Sequence, residues 1–151
     1  MDNDKVNIRN KIIMIVVFSF FFNLLWEVLH SLLYDWNKDP LINDIYVYIP
    51  RIVFYATLFD AIWISTFILW NSIFQRSLKW LKDPSRNDYM AFLILGIIYA
   101  ILIEWSSIVF NLWEYHPYMP LIFGIGFTPL IQLATTSMVS LYLSSHLRWV
   151  E

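Results

Sequence analysis

Four apolar runs, each long enough to cross the hydrocarbon core of a bilayer, divide this chain. A spanning helix needs about 20 mostly apolar residues, because lipid offers no partner for exposed backbone groups. The runs cover approximately residues 12–33, 50–70, 91–113 and 120–143. Only 15% of the 151 residues are charged, against about 25% in soluble domains. The sequence therefore predicts an all-α membrane protein with one domain, 1–151, in which four transmembrane helices form an antiparallel bundle.

The distribution of positive charge predicts how this bundle is oriented. Lys and Arg concentrate in the N-terminal tail and in the loop between the second and third runs, and are scarce in the other two loops. Loops rich in Lys and Arg stay on the cytoplasmic side. We therefore expect both termini to be cytoplasmic and the protein to reside in the cell membrane. Membrane lipids are the expected partners, and a second copy or another membrane protein is an open alternative.

Two features of the composition exclude whole classes of function. The net charge of −2 gives no basic surface, so nucleic acid is not an expected partner. The chain contains no Cys, which removes disulfides, thiolate catalysis and Cys-based metal sites. The sequence leaves the identity of any cofactor unknown.

Three carboxyl residues interrupt the apolar runs. Glu27, Asp60 and Glu104 each lie inside a run, and no Lys or Arg lies near them there. An ionised group at the bilayer centre costs at least ~2.5–3.5 kcal/mol, so such residues are functional candidates. Arg51 lies nine residues before Asp60 and is expected to point away from it in an α-helix. The predicted catalytic residues are Glu27, His30, Asp60 and Glu104.

Other polar residues share helix faces with these acids. Spacings of four and three residues place Asn23, Glu27 and His30 on one face of the first helix. Similar spacings join Asn111 to Glu104 in the third run and Thr128 to Gln132 in the fourth. The predicted substrate-binding residues are Asn23, Asn111, Thr128 and Gln132.

Convergence of the three acids would have a chemical consequence. Close carboxylates repel each other in a medium of low dielectric constant, so a proton or a bound cation would be required. Glu27 and His30 have the Glu-x-x-His spacing of di-iron bundles, but the motif occurs once and predicts no metal site.

The segment 124–129, with two Gly and one Pro, has two interpretations. It is either an unwound helix whose free carbonyls line a pocket or, as favoured here, a close helix crossing with a gentle proline kink.

Three kinds of function fit these patterns. The best specific hypothesis is an enzyme that modifies a lipid or isoprenoid and uses the buried carboxyls as acid and base. The alternatives are a proton- or cation-coupled carrier or channel subunit, and a non-catalytic assembly or regulatory subunit whose polar residues fix helix pairing. The sequence alone leaves open whether the chain is an enzyme.

Overall fold

The computed structural model describes residues 3–34 and 45–147, and within these ranges the chain is mainly helical. The first half contains α1 (Asn3–His30), a 3₁₀ turn (Ser31–Leu33), α2 (Ile45–Pro50), a π-helix (Arg51–Thr57) and α3 (Leu58–Gln75). The second half contains a 3₁₀ turn (Lys79–Lys82), α4 (Arg86–Phe110), strands β1 (Leu121–Ile122) and β2 (Ile125–Gly126), and α5 (Phe127–His146). Because α2, the π-helix and α3 are continuous, four long helical rods form the molecule.

Three of these rods are long and apolar enough to cross a membrane. They are Asn7–Leu33, Tyr48–Gln75 and Arg86–Phe110, which supports a membrane location. The fourth rod, α5, is not among them, although the sequence predicted a fourth apolar span. Nine of its 20 residues are buried, and several of these are Ser or Thr. The helix α5 is therefore a polar, central element, and it packs mainly against α1 and α4.

The helix α5 runs antiparallel to both α1 and α4. Near the start of α1, the Lys11 ammonium donates to the carbonyls of Ser144 and Ser145, at 2.5 and 3.2 Å, in the last turn of α5. On the other side, the Tyr89 hydroxyl of α4 lies 3.2 Å from the Ser145 hydroxyl. A buried cation at the C-terminal end of a helix satisfies carbonyls that lack helical partners and opposes the negative end of the helix dipole.

Gly96 sets the distance between α4 and α5. A Cβ added at Gly96 would lie 2.5 Å from both the Cα and the N of Ala134, well inside contact distance. The two backbones touch there, as small residues allow at close helix crossings.

Replacing Gly96 with Ala should therefore lower the free energy of unfolding by about 1–3 kcal/mol, the usual cost of overpacking. Helix propensity alone would make Ala stabilising at this position, so the sign of the change in the free energy of unfolding tests the contact. The matched control is Ile98→Ala on the exposed face of the same helix, expected to change stability by about 0.5 kcal/mol or less. Unfolding in detergent, followed by circular dichroism, measures both, and a Gly96→Ala variant as stable as wild type would contradict the contact.

A buried carboxylate joins α3 to α4 at the basic end of the bundle, which is the end that carries Arg76, Lys79, Lys82 and Arg86. Ser85 is the N-cap of α4, and Asp88 closes a capping box by accepting from the Ser85 backbone N–H at 2.7 Å. Asp88 also accepts from the Asn71 amide at 2.7 Å and from the Gln75 amide. These bonds satisfy the buried carboxylate of Asp88. Its role is therefore structural, and it lies far from the other acids.

The connection between α4 and α5 differs from the sequence prediction. The helix α4 ends at Phe110 rather than near residue 113, because Asn111 adopts the left-handed conformation, with φ 52°. Strands β1 and β2 then form a hairpin whose two turn residues, Phe123 and Gly124, both have positive φ. The helix α5 starts only at Phe127, so Pro129 lies in its first turn and produces no kink. Both interpretations of the segment 124–129 are wrong.

Candidate functional site

Gln132 of α5 connects polar residues of three rods. Its amide nitrogen donates to the carboxyl oxygens Oε1 of Glu27 and Oδ2 of Asp60, both at 2.6 Å. It also lies 3.3 Å from Oδ1 of Asn23. Only 4% of Gln132 is exposed, so these contacts are desolvated. The sequence predicted all four residues as site members, and the structure brings them together.

Glu27 and Asp60 lie side by side, because their carboxyl groups accept from the same Gln132 nitrogen. Two ionised carboxyls this close in a desolvated site would repel each other. We therefore expect the pair to hold one proton between its two carboxyl groups. This proton could be released to a molecule that reaches the pair.

Asn23 is the structural support of this pair. Its side-chain oxygen accepts from the Thr136 hydroxyl at 3.0 Å, and its amide donates to the Ser19 carbonyl at 2.8 Å. Asn23 is fully buried and lies behind Gln132. We therefore interpret it as a residue that positions Gln132, in contrast to the predicted contact with substrate.

Glu104 lies in a different environment. It is 3% exposed, and the Tyr115 hydroxyl donates to its Oε2. Burial, followed by the hydrogen bond to Glu104, raises the pKa of Tyr115, so this phenol stays protonated and continues to donate. This hydrogen bond offsets part of the cost of burying a negative charge on Glu104, because a phenol donor strengthens when its acceptor is ionised.

Backbone pairing fixes Tyr115 in place. Tyr34, just after the 3₁₀ turn that follows α1, forms an antiparallel bridge with Tyr115, and the His116 N–H donates to the Leu33 carbonyl at 2.9 Å. Burial, then the nearby Glu104 and Glu27, raises the pKa of Tyr34 well above its usual range. Both tyrosines are therefore neutral at physiological pH.

A cavity of about 580 Å³ reaches these groups. Glu27, Asp60, Glu104 and Gln132 lie along its polar wall. The remaining wall is largely apolar and aromatic, and two lining residues, Tyr55 and Phe59, are 67% and 51% exposed. The cavity consequently opens on the apolar flank of the bundle as well as near the β-hairpin.

Arg51 lines the same cavity as Asp60, so the expectation that it points away is wrong. Nine residues of α-helix, at ~100° each, would rotate it by half a turn. The backbone at Arg51–Thr57 is instead π-helical, and its wider turns rotate each residue by a smaller angle. Such π-helical turns often occur at functional sites.

The structure does not bring every predicted residue to this cavity. His30 is buried, but it packs on the Tyr34 ring at 4.7 Å and is not among the cavity-lining residues. Neither ring nitrogen of His30 has a hydrogen-bond partner among the described residues. Thr128 lies 3.2 Å from the Met119 sulfur, outside the lining, whereas Asn111 lies at the hairpin end of the cavity. Within 3–34 and 45–147, no three His, Cys, Asp or Glu residues are placed to hold a metal ion.

Sequence reasoning missed several residues that shape the site. Thr136 follows Gln132 by four residues, so the helical spacing could have identified it. Tyr34 lies four residues after His30, so helical spacing placed it on the polar face of the first run but assigned it no role in the site. Tyr115 belongs to a connection without periodicity, and nothing local indicated that it would reach Glu104.

Comparison with protein-family models, with curated proteins and with solved structures finds no match for this chain.

Proposed function

We propose that this chain is an integral membrane enzyme that modifies a lipid or isoprenoid by acid–base chemistry. The observation that carries the proposal is the cavity in which a close carboxyl pair, Glu27 and Asp60, shares one space with Glu104, which accepts a phenol hydrogen bond. The pair is bonded to an amide and Glu104 to a phenol, and carboxyls in different environments are typical of acid and base partners. The pair is the proposed acid and Glu104 the proposed base.

The shape of the cavity supports an apolar substrate. Binding sites for small molecules are mostly apolar with a few placed polar groups, and this cavity has that composition. Its exposed rim at Tyr55 and Phe59 lies within the candidate span Tyr48–Gln75. An alkyl or isoprenoid chain could therefore enter from the bilayer while its reacting group reaches Glu104.

We further propose that all four rods cross the cell membrane, with both termini cytoplasmic. The helix α5 would cross inside the bundle, where its Ser and Thr hydroxyls bond to its own backbone carbonyls, as Ser137 and Ser140 do at 3.1 and 2.6 Å. The loop with Lys79 and Lys82 would face the cytoplasm by the positive-inside rule. The cavity would then open toward the outer leaflet.

An ion carrier needs a polar route to the other side of the membrane, and the packing favours an enzyme instead. Between the cavity and the basic end, the described core contains Ile64, Phe67 and Phe92, none of which is exposed. Phe67 and Phe92 pack edge to face with centroids 5.9 Å apart. The buried hydroxyls of α5 beyond the cavity, such as those of Ser137 and Ser140, donate to carbonyls of their own helix.

Solvent exchange into lipids tests the proposed enzyme. Native cells carrying wild type, or a Glu27→Gln/Asp60→Asn double variant, are grown in D₂O-containing medium, and membrane lipids and isoprenoids are compared by mass spectrometry. We expect at least one species to change abundance and deuterium content in the variant. Asp83→Asn, on the exposed loop at the basic end, is the charge-matched control. Identical profiles at equal membrane levels of all three proteins would refute the proposal.

A further inference from the structure

Aromatic rings form much of the cavity wall around the carboxyl groups. Those that line it are Tyr34, Tyr55, Phe59, Trp63 and Trp113. The face of an aromatic ring carries partial negative charge and attracts a cation within about 6 Å. This attraction is stronger for a desolvated cation than for one at an exposed surface.

The charged residues of the lining also favour a cation. Among the described residues, four carboxyl residues (Glu27, Asp60, Glu104 and Glu114) line the cavity, against one guanidinium, that of Arg51. With one proton shared by Glu27 and Asp60, the acids of this part of the lining still outnumber its guanidinium. Its potential favours a positively charged group and opposes a phosphate or carboxylate.

The positions of the carboxyls and of the apolar rim indicate the shape of the ligand. The carboxyls are at the polar wall, and the apolar rim opens beside Tyr55 and Phe59. A molecule that satisfies both ends has a compact charged head and an apolar tail that continues into lipid. Aromatic rings combined with carboxylates are the features that recognise ammonium groups.

We propose that the substrate or ligand of this cavity is a cationic amphiphile, with an amine or quaternary ammonium at the end of an apolar chain. This inference rests on the proposed function and specifies its substrate class. The head group lies against Glu104 and the aromatic rings, and the tail leaves between α3 and α4. An anionic head group, which Arg51 could bind at the cavity, is the competing outcome.

Competition binding tests the charge preference without requiring turnover. Purified protein, stripped of lipid in mild detergent, is mixed with equimolar hexadecylamine, hexadecanol and hexadecyl phosphate, and bound species are counted by native mass spectrometry. We expect the amine to be retained about tenfold more than the alcohol, and the phosphate least, because a charge-assisted hydrogen bond is stronger than a neutral one. Glu104→Gln should reduce the preference for the amine to about threefold or less.

Two variants test whether the probes bind in the cavity or elsewhere on the surface. Ala56→Phe, which fills the cavity from the π-helix, should abolish retention of all three probes. Asp83→Asn removes a charge from the exposed loop and should leave the preference unchanged. If Asp83→Asn weakened amine binding as much as Glu104→Gln, the binding would be non-specific and the inference wrong.

The outcomes also distinguish this inference from the function on which it rests. Equal retention of amine and alcohol, both lost in Ala56→Phe, would overturn the cationic class and leave the lipid-binding cavity intact. Preferred retention of the phosphate would overturn it in favour of an anionic head group. If no probe bound, both this inference and the lipid-modifying function would lose their support.

Discussion

Replacing Glu104 with Gln is expected to lower turnover of the lipid substrate by about 10²–10⁴-fold, the range associated with loss of a general acid or base. The substitution retains size and an acceptor oxygen, so Tyr115 can still donate to position 104. What it removes is the site that accepts a proton. The measurement is the rate of the deuterium exchange or product formation identified by the lipid comparison described above.

Two other variants show whether this loss is chemical. Tyr115→Phe removes the donor to Glu104 and should reduce turnover by about 10- to 100-fold, since one hydrogen bond to a charged group contributes roughly 1.5–3 kcal/mol. Asp83→Asn should have wild-type activity. If Glu104→Gln remained as active as Asp83→Asn while folded and inserted, Glu104 would have no part in proton transfer.

Gln132→Leu is expected to be the most destabilising substitution at the site, by about 3–5 kcal/mol, the usual effect of breaking a buried charged network. Leu has a similar volume but cannot donate to Glu27 or Asp60, and Asn23 loses a contact as well. Buried acceptors without a donor carry their full desolvation penalty. The free energy of unfolding in mixed detergent, followed by circular dichroism, measures the loss.

A second substitution tests whether the network is the cause. In the Gln132→Leu background, Asp60→Asn supplies an amide that can donate to Glu27, so it should recover part of the stability. In wild type the same change should destabilise, because the new amide competes with Gln132. A coupling energy above about 0.5 kcal/mol in this double-mutant cycle is the expected result. Additive effects would show that Gln132 does not join these carboxyls.

The candidate site was partly predictable from helical periodicity. Asn23 and Glu27 share one face of α1, and Gln132 was expected on a polar face of the fourth run, so their meeting follows from amphipathic faces packing together. Periodicity failed where the backbone is not an ideal α-helix. Arg51 was assigned to the wrong side because its π-helical turn leaves no sequence signal that we could identify.

His30 shows a different limit of the sequence. It shares a stripe with Glu27, yet its ring packs on Tyr34 while Glu27 faces the cavity. Three residues along a helix rotate a side chain by ~300°, which leaves a gap of about 60° between the two. That angle is small on a helical wheel but is large enough to place a side chain beside the cavity instead of in it.

By itself, the sequence determined the long apolar helices and the isolation of Glu27, Asp60 and Glu104 within them, because length, hydropathy and charge are local properties. Only the tertiary structure decided that Gln132 joins two of these acids and that Tyr115 reaches the third. It also decided that α5, read as an apolar span, is the central polar helix. The physical reason is that hydrogen bonds between rods depend on their relative rotation and on the path of irregular connections. Both are set by packing across the whole bundle rather than by neighbouring residues.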